Sequence, residues 1–474
     1  MLYINGEWTN SISGKSLIVK NPATGEVIEE VASAGAKDVE SAIDAADQAF
    51  AAWKKRPAKE RSDFLKRAAD YLREHADALA RTVTTEMGKP FTEAKGEVNL
   101  AIDYLDWYAE EGKRIYGDTI PASAKNKHLM VIQEPVGVVA AITPWNFPVA
   151  MLTRKIAPAL AAGCTVVLKP ASATPLSALK VIEAFDKLGL PKGVINLVSG
   201  SATEIAGEMT KNSKVRKITF TGSTEVGKKL IRDSADTVKK VSMELGGHAP
   251  FIIFEDANLD LAIDGVIASK FRNAGQTCIC TNRIYVQETI SEEFGKKLAE
   301  KVSKLKIGNG LEAGVEIGPL IDEKGINKVE EHIEDALKHG GEILCGGKRV
   351  SIQGKGNFYE PTVINFANDN MKIAIEETFG PVAPIFTFKT VEEAIEKANH
   401  PEYGLASYCF TNDLSRAFKV IEGLEYGIVG INDPIPTTAQ APFGGVKQSG
   451  NGREGGKYGI KDYLEEKFVS INIG

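Results

Sequence analysis

Between residues 165 and 243 the chain repeats one pattern, a short apolar run followed by a stretch with helical spacing. Residues 165–168 precede a helical 175–188, 194–198 precede 201–210, 218–220 precede 223–233, and 238–243 close the series. Short apolar runs of this kind are strands buried on both faces. Strands separated by helices pair in parallel through βαβ crossovers and build a doubly wound sheet. Such a sheet receives its ligand beyond the carboxyl ends of its strands. The residues just past these strands are therefore where function is sought.

Before the alternation, residues 37–53, 59–79 and 93–114 carry apolar residues at helical spacing. The character changes near Pro121, and 128–142, rich in Val, Ile and Met, should be extended. After Pro250 the alternation restarts with a strand at 251–254, a helix over 259–273 and a strand at 283–287, and it runs to about 431. This second series predicts a second α/β domain, in keeping with two or three domains for 474 residues. Glycine-rich 444–459 interrupts it. The tail, 468–473, reads as a strand with nothing after it to pair with, the kind that completes a sheet in a neighbouring subunit.

A net charge of -6 offers no basic excess for nucleic acid or an anionic membrane. The most apolar stretches, such as 136–142, are far shorter than the ~20 residues that span a bilayer. The first residues lack a basic segment followed by an apolar one, so no signal peptide is expected. Five cysteines at irregular spacing argue against a disulfide framework and for a reducing compartment. A soluble, cytoplasmic protein is expected. Cys278 and Cys280 form a lone Cys-x-Cys among six scattered histidines, so no metal site is expected.

Five places can carry chemistry, and each has a plainer reading. Cys278, after the glycine-containing turn 273–277, suits an exposed nucleophile, although a lone cysteine is more often a small buried apolar residue. Glu244 follows a buried strand and precedes Gly246-Gly247. A carboxylate there has a raised pKa and can act as a general base, whereas an isolated loop glutamate is usually solvated. Asn146, in Pro144-Trp145-Asn146-Phe147-Pro148, can donate to an oxyanion or simply cap a helix. Lys169 ends a strand and points into the crevice, or into solvent. Gly222-Ser223-Thr224-Glu225-Val226-Gly227 suits a pyrophosphate at a helix N-terminus, but Thr224 departs from G-x-G-x-x-G, and a capped helix start explains it equally.

Taken together, seven segments in order resemble the aldehyde dehydrogenase superfamily: 144–148, Lys169-Pro170, Phe220-Thr221-Gly222-Ser223, Glu244-Leu245-Gly246-Gly247, Gly275-Gln276-Thr277-Cys278, Glu377-Thr378-Phe379-Gly380-Pro381 and Pro442-Phe443-Gly444-Gly445. The resemblance covers nearly the whole chain. It implies a Rossmann-like NAD(P)-binding domain over 1–115 and 137–246, and an α/β catalytic domain over 247–440. It also implies a small β oligomerisation arm over 116–136 with the tail 455–474, making homodimers or homotetramers. By motif position Cys278 is the nucleophile that forms a thiohemiacetal and then a thioester, and Asn146 with the Cys278 backbone N–H holds the oxyanion. Glu244 activates the water that releases the acid. Family members that acylate coenzyme A do not need this glutamate, so its presence favours hydrolysis. Lys169 matches a ligand of the adenosine ribose, and Trp145, Gly222 and Ser223 match positions at the pyrophosphate and ribose. Glu377 matches the holder of the nicotinamide ribose, with Phe379 packed nearby.

Three residues past Lys169, Ser172 stands where NAD-preferring members often carry a glutamate. A carboxylate there repels a 2′-phosphate, whereas serine beside Lys169 accepts it, so NADP is expected, with NAD possible. Arg154, eight residues after Asn146, and Arg272, six before Cys278, match the arginines that bind the substrate carboxylate in the succinate-semialdehyde branch of the family. Arginine offers a carboxylate a bidentate fork. Thr437 or Thr438 supplies a hydroxyl in the same pocket, and Cys280 matches a residue that forms a reversible disulfide with the nucleophile in some members. The small-molecule substrate is then succinate semialdehyde. If both arginines are surface or ion-paired residues, a neutral aliphatic, aromatic or betaine-type aldehyde takes its place. A cysteine hydrolase pairing Cys278 with His248 is a reading of another class.

Overall fold

The alternation forms a parallel core. In the computed structural model, which describes residues 1–352, 354–399 and 402–474, five strands pair in parallel in the order Ile195–Leu197, Thr165–Lys169, Val138–Ile142, Val215–Thr221 and Lys240–Glu244. Numbered along the chain this order is 3-2-1-4-5, so the winding reverses between Val138–Ile142 and Val215–Thr221. A crevice opens where the connections leave in opposite directions, at the carboxyl ends of those two strands. Antiparallel edges complete the sheet: Leu2–Ile4 and Glu7–Thr9 on one side, Gly450–Asn451 on the other.

The second series also forms a sheet, in the order Glu342–Cys345, Thr362–Asn365, Val382–Phe388, Thr281–Gln287, Ala249–Ile253, Ala406–Phe410 and Ile428–Ile431, parallel except at its first strand. Each sheet has its own apolar core. The core of the first sheet extends into the helices Ala58–Glu74, Ala76–Met87 and Phe91–Glu111, as their helical spacing requires.

Three expectations change. The extended run 128–142 is two strands in different sheets, because Gly137 turns the chain at a φ of +124° that a side-chain-bearing residue rarely adopts. The helix expected over 259–273 stops at Lys270. The tail strand, Leu464–Asn472, does find a partner in its own chain: it pairs antiparallel along Lys127–Pro135, which in turn pairs with Asp118–Ile120. This three-stranded arm leaves Phe468 and Ile473 exposed. Among the described residues no helix is long and apolar enough to cross a membrane.

Candidate active site

A cavity of about 220 Å³ occupies the crevice. Trp145 and Asn146, just past Val138–Ile142, line it together with Gly222 and Ser223, just past Val215–Thr221. The second sheet contributes Cys278, Glu377 and Phe379. The fold thus brings together residues that the sequence marked at separate strand ends.

Cys278 is half-buried. Its loop leaves the helix Leu259–Lys270 through three consecutive left-handed residues, Asn273, Ala274 and Gly275, with φ of 53°, 52° and 77°. Only glycine fits the third position, since a Cβ there would lie 2.1 Å from the Gly380 carbonyl oxygen. Burial pushes the Cys278 thiol up to about 12, against the opposing pull of Arg154, so the resting group is a thiol. Asn146 donates one amide hydrogen to the Gln276 carbonyl at 3.0 Å, which ties the Asn146 segment to the Cys278 loop.

Glu244 closes its strand nine-tenths buried or more, and neither carboxyl oxygen has a hydrogen-bond partner among the described residues. Burial, reinforced by the nearby Glu454 carboxylate, pushes it up to about 8. Behind it lies a buried charge cluster that sequence reasoning did not assemble. Lys155 Nζ donates to Glu454 at 2.6 Å and to Thr219 at 3.2 Å, and Arg154 Nε pairs with the other Glu454 oxygen at 2.5 Å. A warning was present: Arg154 and Lys155 interrupt an otherwise apolar helix, Ala150–Ala162, that is buried all round. The partner glutamate, in the glycine-rich segment, carried no such signal.

The carboxylate-binding expectation for Arg154 therefore needs correction in one respect. Its side chain is completely buried, ion-paired through Nε and stacked 4.1 Å from the Phe443 ring, so it is not a free cation on the cavity wall. Its Nη1 and Nη2 still make no well-formed hydrogen bond among the described residues. Arg272 is half-buried, 5.4 Å from the Phe147 ring. Among the described residues the Thr437 hydroxyl is buried without a hydrogen-bond partner, whereas Thr438 bonds Gln440. Cys280 is a free, fully buried thiol. Its sulfur lies 3.4 Å from Lys270 Nζ.

On the opposite side of the crevice, Lys169 is almost fully buried with the Pro170 carbonyl, at 3.1 Å, as its only acceptor among the described residues, and desolvation lowers its ammonium to about 8. A buried amine with one neutral partner calls for an anion or hydroxyl group from outside. Ser172 is exposed at the same strand end, its hydroxyl bonded to the Gly200 carbonyl at 2.9 Å. Ser223 caps the helix Thr224–Ser234, whose start can offer N–H groups to a phosphate, and Gly222 before it is bare because a Cβ there would lie 2.4 Å from the Phe220 ring. Glu377 accepts from the Gly247 N–H at 3.2 Å, and burial holds it up at about 7. Phe379, in the left-handed region at φ 55°, meets Trp145 edge-on at 5.6 Å. A helix start, a buried cation and a buried carboxylate around one crevice fit a dinucleotide.

A thiol, an amide donor and a buried carboxyl lie around a crevice that fits a dinucleotide, and the chain belongs to the aldehyde dehydrogenase family, which it matches over residues 8–469. It is 56% identical to the glutarate-semialdehyde dehydrogenase of Pseudomonas putida, covering 99% of this chain and 97% of that one. It is 55% identical to the NADP(+) succinate-semialdehyde dehydrogenase of Escherichia coli K12, with the same coverage. A crystal structure described as an NADP-dependent enzyme of E. coli superposes with a TM-score of 0.98 at 55% identity, over 100% of this chain and 98% of that one.

Proposed function

We propose that the enzyme oxidises a short aldehyde bearing a carboxylate at its far end, succinate semialdehyde above all, to the dicarboxylic acid, with NADP as the preferred cofactor and NAD as a second one. The observation that carries the substrate is the positive charge around Cys278: half-buried Arg272 on the same loop, reinforced by the buried Arg154 stacked on Phe443. Both relatives are named for aldehydes of this kind, four and five carbons long.

In this reading the Cys278 thiol gives its proton to solvent as Sγ bonds the carbonyl carbon, and the C=O electron pair moves onto the oxygen as an oxyanion. The oxyanion accepts from the second hydrogen of the Asn146 amide and from the Cys278 N–H, neither of which has another partner among the described residues. A nicotinamide dinucleotide bound in the crevice would supply the hydride acceptor. Glu377 and Lys169 would hold its riboses, and Trp145, Phe379, Gly222 and Ser223 would line its path through the crevice. Ser172 leaves space for a 2′-phosphate beside Lys169. Glu244, once deprotonated, takes a proton from water as it attacks the thioester, and Cys278 leaves as the thiol. Thr437 adds a hydroxyl to the tail pocket. The first sheet is then the cofactor domain, the second the catalytic domain. The arm, with Phe468 and Ile473 bare, docks on a second copy.

Initial rates with succinate semialdehyde and with butanal test the substrate, since the two differ chiefly by the carboxylate. A charge-assisted hydrogen bond of about 1.5–3 kcal/mol from Arg272, the arginine that is not ion-paired to Glu454, raises kcat/KM for the semialdehyde by roughly one to two powers of ten. Equal rates overturn the carboxylate pocket and return the neutral aldehydes.

A further inference from the structure

The Asn146 and Cys278 loops come from different sheets, and two side-chain amides join them, those of Asn146 and Asn273. Asn273 Nδ2 lies 3.1 Å from the Asn146 carbonyl oxygen and 3.1 Å from the Gln276 carbonyl oxygen. The second of these is also the acceptor of the Asn146 amide. Two carbonyls facing one side-chain atom fix that atom as the NH2 end, because the amide oxygen would be repelled by both. The backbone N–H of Asn273 donates to Glu93 at 2.8 Å. A second donor, Lys89 Nζ, reaches the Asn146 carbonyl at 2.7 Å, and its counter-ion Glu97 accepts from the N–H groups of Val149 and Ala150. The Asn146 segment is thus held from behind by Lys89 and Glu97, and it is joined to the Cys278 loop by Asn273.

We propose that Asn273 is the positioning residue of the oxyanion hole. It aims the free hydrogen of the Asn146 amide at the oxygen that forms on Cys278. The proposal rests on Asn146 and Cys278 acting as above. The strain of the loop supports it. Asn273 starts a left-handed run of three residues, a conformation costly for all but glycine and, to a lesser degree, asparagine. Glycine meets the backbone requirement best, so the presence of asparagine points to its amide. An aspartate of the same shape loses both donor hydrogens.

The test compares Asn273→Gly, Asn273→Asp, Asn146→Ala and the double variant Asn273→Gly with Asn146→Ala, all in the full-length enzyme. Pre-steady-state rates of thioester formation are measured together with cofactor Kd and aldehyde KM. Glycine relieves the backbone, so that variant folds. It is expected to lose 10- to 100-fold in the acylation rate, with Kd and KM within about threefold of the parent. Aspartate loses at least as much. In the Asn146→Ala background the glycine substitution costs less than about threefold more, because nothing remains to be aimed. Full activity in Asn273→Gly overturns the proposal, and so does a loss that multiplies with that of Asn146→Ala, since Asn273 then acts elsewhere. An Asn146→Ala enzyme as fast as the parent instead overturns the oxyanion assignment beneath it.

Discussion

Lys169 makes a prediction that separates NADP from NAD by pH alone. Its amine is desolvated at the end of a buried strand and titrates at about 8, so its charge changes within an accessible range. Only the ammonium attracts a 2′-phosphate. At pH 7 about 90% of the free enzyme carries that charge, and at pH 9 about 10%. The sign follows: NADP binding is strong below 8 and weakens as pH rises through 8, with Kd growing roughly tenfold between pH 7 and pH 9 and an inflection near 8. NAD presents only hydroxyls there, which the neutral amine also bonds, so its Kd stays within about threefold over the same interval.

The measurement must be of binding and not of turnover, because Glu244 titrates at about the same pH and would shape any rate profile. Quenching of protein fluorescence by each dinucleotide, at constant ionic strength and without aldehyde, reads Kd directly. Replacing Lys169 with Met removes one charge-assisted contact of about 1.5–3 kcal/mol, which raises the NADP Kd roughly ten- to a hundredfold and flattens its pH dependence. Parallel NADP and NAD profiles would refute the reasoning, as would an inflection near 8 that survives in Lys169→Met.

Glu244→Gln should keep a burst of reduced dinucleotide equal to one per site and lose about two to four powers of ten in the steady state, as the thioester waits for an activated water. In the parent, the steady-state rate should climb as pH rises through about 8, where the Glu244 carboxyl ionises, and a rapid-quench titration checks both. Glu454→Gln leaves Arg154 and Lys155 buried without their counter-ion, which costs roughly 3–5 kcal/mol read as a lowered urea midpoint. The same change removes a negative neighbour of Glu244 and so moves the rising limb below 8. Ser172→Glu should raise the NADP Kd at least tenfold with little effect on NAD.

The parts of this enzyme visible in its sequence are those whose physics is local. Strands buried on both faces are uniformly apolar, so the alternation from 165 to 243 shows at once, and the residues past each strand mark the crevice. The four strands within Leu2–Ala32 show no such alternation, and one of them, Leu2–Ile4, finds its place only by pairing with Ile195–Leu197. Residues 59–79 read as one helix because no proline or glycine marks the break, which falls at His75, where φ is -109° and ψ 15°. The left-handed turn before Cys278 follows from hydrogen bonds to Asn146 and Glu93, more than a hundred residues away. The charge cluster behind Glu244 shows the same division. Two cations in a buried apolar helix require a counter-ion, so the sequence dictates that one exists. Which residue supplies it depends on the segment from Phe443 to Glu454 folding back across the first sheet, 299 positions from Lys155. A buried ion pair stabilises little compared with an apolar pair of the same volume, so stability alone does not explain its presence. Its position does: a carboxylate pinned between two cations sets the charge felt by Glu244. The pair that sequence could least locate is therefore the one whose substitution should move the pH of turnover.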